Sequence, residues 1–381
     1  MVLTSVAPRL RAGVDASHLR WQRGGLGRYL EGLLGALTPL LAGDGGEVLA
    51  YYNAWPGPPA LPGATERFVR MPGTLAWYQV GLPAALRRDR PDVFLGGANL
   101  LPVLGTTVPR VLVVHDCKAF RVPEAEPGRW GRYLRRWMPR SARAAAAVVA
   151  VSHWTAGECE RWLGVPASAV RVVHPGVDRS FRPAASAAER EADAAARARL
   201  GVPPRYVLQV GGFDRHKGGE VATAAVQRLR ADHPDLVLVR CGEKGSPAAA
   251  PGRLDLAHVG DADLLALYRG AAAVCVSSRH EGFGLPVVEA MACGVPVVAA
   301  RATGLPEAGG EVALYAPPGD AVATAAALAH LLDDPEEVRR RTADGLAWAA
   351  RFSWDTAAAA IDDILHEVAR PAGERMVRSR R

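Results

Sequence analysis

Cysteine is scarce and dispersed: the five residues (Cys117, Cys159, Cys241, Cys275 and Cys293) include no CxxC pair. That spacing speaks against a disulfide framework or a zinc site and suits a reducing cytoplasm. Long apolar runs are missing too. No stretch approaches the roughly 18 consecutive apolar residues of a membrane span. The opening segment, MVLTSVAPRLRAG, has no apolar signal core. The expected location is therefore cytoplasmic, peripheral to the inner face of a membrane at most. No internal repeat is visible. No strand-like run leads into G-x-G-x-x-G with an acidic residue about 20 positions on, which disfavours a nicotinamide dehydrogenase.

What is present is an ordinary globular composition, 49% apolar and 22% charged, over 381 residues. That length suits two domains better than one. The net charge of +7 suits anionic ligands or an anionic surface and does not by itself indicate nucleic acid.

The most informative stretch is Arg279 to Gly294, RHEGFGLPVVEAMACG. Apolar runs on either side, Ala271 to Val276 and Val295 to Ala300, read as buried strands. Pro286 suits the start of a helix, where its missing N–H costs nothing. Gly294 suits the left-handed position just past a helix end. Gly282 to Leu285 then form a tight loop over a helix N-terminus, where free N–H groups and the helix dipole favour an anion. Glu281 stands before the loop and Glu289 about one turn inside the helix. Phosphate affinity beside two carboxylates suits a ligand carrying both charge and hydroxyls, such as a nucleotide sugar.

Elsewhere strands alternate with helices. Leu10 to Ala16, Glu47 to Tyr52, Asp92 to Leu95, Val111 to Val114 and Ala147 to Val151 read as strands. Leu75 to Arg88, Trp130 to Ala144 and Thr155 to Leu163 read as helices. The alternation predicts parallel sheets with helices on both faces, whose ligands bind beyond the carboxyl ends of strands. His115–Asp116 directly follows the strand RVLVV, and Ser152 follows AVVAV and can cap the next helix. Gly24, Gly25 and Gly27 lie where the first strand passes into a helix carrying Leu30, Leu33, Leu34 and Leu37 on one stripe. In the second half, the strand Tyr206 to Val210 leads to the glycine turn Gly211–Gly212 with Arg215 and Lys217 beside it, a cationic setting for a diphosphate. Lys217 is the firm member of that clamp, completed by Arg215 or by His216.

The helix RWGRYLRRWMPRSAR carries Arg129, Arg132, Arg135, Arg136, Arg140 and Arg143, interleaved with Trp130, Tyr133 and Trp137. It can lie on anionic lipid, or be a solvated helix whose aromatics pack inward. Pro139 is expected to interrupt it. The segment Val170 to Pro183 reads as an interdomain linker, and CGEKGSPAAAPGR as a loop.

The stretch EGFGLPVVEAMACGVPVV, with seven residues between its two glutamates, resembles the signature of the retaining GT-B enzymes of glycosyltransferase family 4, in the style of its mannosyltransferase-like branch. So do VVHD around His115, HPGVD with Phe181, and GLPEAGGEVALYAPPGD. The resemblance runs from about Leu10 to Ile364. It implies two Rossmann-like α/β domains facing across a cleft. Residues 1–180 would hold the acceptor and residues 181–352 the nucleotide sugar, while residues 353–381 form a helix crossing back to the first domain and a basic tail. It implies sugar transfer with retention to a glycan, lipid-linked or small-molecule acceptor, without a metal or other cofactor. Mannose from GDP-mannose is the leading donor. Ala257 and His258 replace the family's usual glycine and aromatic near the base, which leaves base preference open. By position, Glu281 touches the transferred sugar and His115 holds donor sugar or acceptor. The N–H groups of Phe283, Gly284 and Leu285, after Gly282, meet sugar and diphosphate. Glu289 accepts from the ribose hydroxyls, and Gly24 and Gly25 approach from the other domain. An epimerase or hydrolase of nucleotide sugars on the same scaffold is the alternative, as is a non-catalytic sugar-nucleotide binding protein.

Overall fold

A computed structural model describes residues 9–21, 24–55, 60–211, 213–242 and 248–370. Gly212, part of the loop after Cys241 and the basic tail 371–381 lie outside the described residues. The chain forms two compact units, the described parts of 1–121, 126–176 and 354–381, and of 122–125 and 177–353.

The first unit is built on strands β1 (Arg11–Asp15), β2 (Glu47–Tyr52), β3 (Thr65–Phe68), β4 (Val93–Gly96), β5 (Arg110–Val114), β6 (Ala147–Ala150) and β7 (Val170–Val172). They pair in parallel in the order β3-β2-β1-β4-β5-β6-β7. Four of the five residues of β5 are buried, as the continuous apolar run requires of a strand covered on both faces. Helix Gly25–Gly43 buries Leu30, Leu33, Leu34 and Leu37. The last helix, Trp354–Ala369, returns to this unit. Its Trp354 ring fills the space beside Gly32, where an added Cβ would lie 2.1 Å from it.

The second unit holds β8 (Tyr206–Val210), β9 (Val237–Cys241), β10 (Ala248–Ala250), β11 (Arg253–Leu256), β12 (Ala273–Val276), β13 (Val297–Ala300) and β14 (Leu314–Ala316). Their order is β10-β11-β9-β8-β12-β13-β14, antiparallel only between β10 and β11. Every residue of β12 and β13 is buried.

In both sheets the strand order reverses once, between β1 and β4 and between β8 and β12. Such switch points open a crevice at the carboxyl ends of their strands, where ligands bind. The segments after β8 and β12 are those carrying Lys217 and Glu281. In the first unit the segments after β1, β4 and β5 carry Gly24, Gly97 and His115.

Several sequence expectations are corrected. Pro139 does not interrupt its helix, which runs unbroken over Gly128–Ala144. The proline removes one ladder donor, and the packing of Leu134 and Met138 carries the helix through it. The helix expected over Leu75 to Arg88 is split by a wider π-helical turn, Trp77–Gly81. The supposed linker contains strand β7, and the loop after Cys241 contains β10.

Candidate active site

In the second unit the site is set by how closely two turns approach. After β8 comes a short turn, Arg215–Lys217, and then Gly218 in the left-handed region (φ 67°). A Cβ on Gly218 would lie 2.1 Å from the Ser277 carbonyl oxygen, so only glycine lets the turn press on the end of β12. Ser277 Oγ donates to the Gly218 carbonyl at 2.7 Å, and Gln209 Nε2 to the Lys217 carbonyl at 3.0 Å.

That pressure delivers Lys217 to Glu281. Its ammonium donates to both carboxylate oxygens, at 2.8 and 3.0 Å, and Ser278 Oγ donates to one of them at 2.8 Å. The Glu281 backbone is tied down as well, its N–H to Thr303 Oγ1 at 2.9 Å and its carbonyl to the Gly304 N–H at 3.1 Å. Burial alone would push the Glu281 carboxyl up. The Lys217 charge, the hydrogen bonds from Lys217 and Ser278 and a smaller contribution from His216 outweigh it and hold the carboxyl below the ordinary glutamate range. Glu281 is therefore a carboxylate at neutral pH.

Helix Leu285–Ala292 starts immediately beyond, with Gly284 (φ 116°) as its N-cap and Pro286 in its first turn. Gly294 takes the left-handed position after its end (φ 77°). Phe283 is buried and packs edge-on against Phe352, with centroids 5.3 Å apart, so only its backbone can serve a ligand. Among the described residues neither the Gly284 nor the Leu285 N–H makes a hydrogen bond. This is the arrangement that attracts an anion. Glu289 is buried in the same helix and accepts from Tyr268 Oη at 2.6 Å. Of the two candidates beside Lys217, His216 is buried and Arg215 exposed.

In the first unit His115 follows β5. Its Nε2 lies 2.7 Å from the Gly97 carbonyl, its backbone N–H donates to Asn99 Oδ1 at 2.7 Å, and its ring meets Tyr29 edge-on at 4.4 Å. Burial pushes the imidazole down to about 4, against smaller upward effects of the Gly97 carbonyl and Asp116. The ring is neutral at pH 7. A carbonyl only accepts, so Nε2 carries the proton and Nδ1 the lone pair. Gly24 caps helix Gly25–Gly43 in an extended conformation. A Cβ on Gly25 would meet nothing within 4 Å, so packing does not require glycine there.

Sequence reasoning missed Ser278, Thr303 and Tyr268, the hydroxyl groups that hold the two glutamates. Ser278 had a signal available, three residues before Glu281. The other two come from distant segments and leave no local trace.

Two seven-stranded sheets, parallel but for the β10–β11 pair, each with its candidate residues at the switch point, define the class as the GT-B fold. HepE from Anabaena, solved with UDP and glucose, superposes with a TM-score of 0.71 over 93% of this chain and 99% of that one, at 20% identity. The model for glycosyltransferase family 4 matches residues 23–181 and that for group 1 glycosyl transferases residues 204–334. The O-antigen chain mannosyltransferase B of Escherichia coli is 31% identical over 70% of this chain and 72% of its own length. The chain belongs to glycosyltransferase family 4. A D-inositol 3-phosphate glycosyltransferase of Streptomyces bingchenggensis is 35% identical over 62% of this chain, which spans 55% of that relative's length.

Proposed function

We propose that the protein is a glycosyltransferase that moves a sugar from a nucleoside-diphosphate sugar to an acceptor hydroxyl, retaining the anomeric configuration. The observation that carries this is the Lys217–Glu281 pair beside the unbonded N–H groups of Gly284 and Leu285. The leaving diphosphate would take the helix N-terminus and the Lys217 ammonium, completed by Arg215 or His216. Lys217 would thereby be drawn from Glu281, freeing that carboxylate for the sugar hydroxyls. Glu289, oriented by Tyr268, would accept from the ribose. His115 would hold the donor sugar or the acceptor, and Gly24 and Gly25 would let the backbone approach the donor.

In the step itself the bond from the anomeric carbon to the diphosphate oxygen breaks and a bond to the acceptor oxygen forms on the same face. The acceptor proton passes to the departing phosphate. Lys217 and the helix dipole supply positive charge where negative charge develops, so the reaction is expected to need no metal. Mannose is the leading sugar on the strength of the Escherichia coli relative's name, with GDP-mannose the donor tried first.

A thermal-shift panel of GDP, UDP, ADP and dTDP sugars tests the donor, because a ligand of the native state alone raises the melting temperature. No shift with GDP or UDP sugars at millimolar concentration overturns the assignment. Turnover should survive excess EDTA; abolition with rescue by Mg²⁺ or Mn²⁺ overturns the metal-free mechanism. Donor turnover that needs no acceptor would instead favour an epimerase or hydrolase, and binding without turnover a silent binding protein.

A further inference from the structure

Helix Gly128–Ala144 is left unexplained by this chemistry. Its 17 residues include six arginines and no carboxylate. At about 100° per residue, Arg129, Arg132, Arg136, Arg140 and Arg143 fall within about 80° of one another, along about 21 Å of helix. Arg129, Arg132, Arg136 and Arg143 are exposed, and among the described residues none of the four is ion-paired to a carboxylate. Nearby, Glu126 is neutralised by Lys118 at 2.8 Å, and Glu124 is exposed just before the helix.

One flank of this stripe is an aromatic ladder. Trp130 stacks on Tyr133 at 5.4 Å, Tyr133 lies 6.1 Å from Trp137, and the Arg140 guanidinium covers Trp137 at 5.9 Å. Tyr133 and Trp137 pack partly into the core, while Trp130 remains 43% exposed. The opposite face, with Leu134 and Met138, is buried.

We propose that this face docks the protein on a bilayer bearing anionic headgroups. A compact anion is bound in a concave site, whereas a convex helix with a straight row of unneutralised arginines matches an extended field of charge. The exposed Trp130 indole at its edge suits the headgroup level, where one side is apolar and the other wet. Because the helix's apolar face is used inside the protein, the contact is electrostatic, with Trp130 inserting shallowly. No helix among the described residues is long and apolar enough to cross a membrane, so the contact is peripheral.

The test is co-sedimentation of the full chain with phosphatidylcholine vesicles, with and without phosphatidylglycerol. Binding is expected only with phosphatidylglycerol and should fade as salt rises. Arg132→Ser with Arg136→Ser should weaken it by about fivefold per arginine, with the melting temperature and the donor-induced thermal shift unchanged. Trp130→Ala tests the insertion separately and should weaken binding without altering its salt dependence. Equal binding to both vesicles overturns the proposal. So does binding that survives the double substitution, or that is lost only on removing residues 371–381. Heparin or duplex DNA that binds as tightly as the vesicles at the same salt would make the face a general polyanion site and would also overturn it.

Discussion

The Lys217 ammonium bridges both carboxylate oxygens of Glu281 across 64 residues of chain, with both side chains largely shielded from water (21% and 14% exposed). It joins the turn after β8 to the turn after β12 at the switch point. Glu281 is held below its ordinary value of 4.5 chiefly against its own burial. A carboxylate favoured in the folded state stabilises fully above that ordinary value, and the gain is lost as pH falls through the folded value.

Lys217→Met removes the attraction and leaves the burial. The variant should melt below wild type at pH 7, and the gap should close as the pH falls below 4.5, as followed by calorimetry. Donor binding should weaken by about 10-fold or more, the scale of a lost charged hydrogen bond. A melting gap that stays constant from pH 7 to acid would mean that the pair does not govern stability.

Tyr268→Phe tests whether the hydroxyl positions Glu289. Loss of a hydrogen bond to a carboxylate is worth about 1.5–3 kcal/mol. Because ribose contacts bind ground and transition states alike, the donor KM should rise about 10-fold with kcat nearly unchanged. Glu289→Ala should raise KM further. If Glu289→Ala acts and Tyr268→Phe does not, the hydroxyl has no part in donor binding; a pure kcat defect in Glu289→Ala would move that carboxylate to the chemistry.

Much of this was legible in the chain because punctuation and periodicity agreed. The apolar runs around residues 279–294 became buried strands, Pro286 entered the first turn of its helix and Gly294 took a left-handed backbone. Ser152 caps its helix as its side chain suggests. What was not legible depends on tertiary contact. Thr303 and Tyr268 reach the glutamates from other segments. Three-residue strands such as β7 are too short to show a period, and Pro139 is tolerated because packing outweighs one missing hydrogen bond.

His115 gives a pH test with the opposite chemistry. Its folded value of about 4 lies below the ordinary 6.5, so the neutral ring is favoured on folding. That stabilisation is present above 6.5 and lost as pH falls towards 4, amounting to ~3 kcal/mol at most. His115→Gln should therefore lose less stability than wild type between pH 6.5 and 4. The pH profile of kcat/KM should show no inflection near 6.5 from this ring; an inflection there that disappears in His115→Gln would make the imidazole an acid–base group.

Glu281→Gln addresses the chemistry itself. The substitution preserves shape and keeps hydrogen-bonding capacity towards Lys217 and Ser278, while removing the negative charge. If Glu281 steadies the positive charge that develops at the anomeric carbon, its contribution grows in the transition state, and its loss should fall on kcat. A drop of about 10²-fold or more is expected, the scale of one preorganised electrostatic group, with the donor-induced thermal shift little changed. Loss of donor binding in equal measure would instead make Glu281 a ground-state contact acting through Lys217. The wild-type product, made from an α-linked donor and read by the anomeric proton coupling, should be α-linked. An inverted product would remove same-face attack, because the acceptor would then have to approach from the side opposite the departing diphosphate. A fully active Glu281→Gln would leave retention standing and assign the stabilising charge to another group.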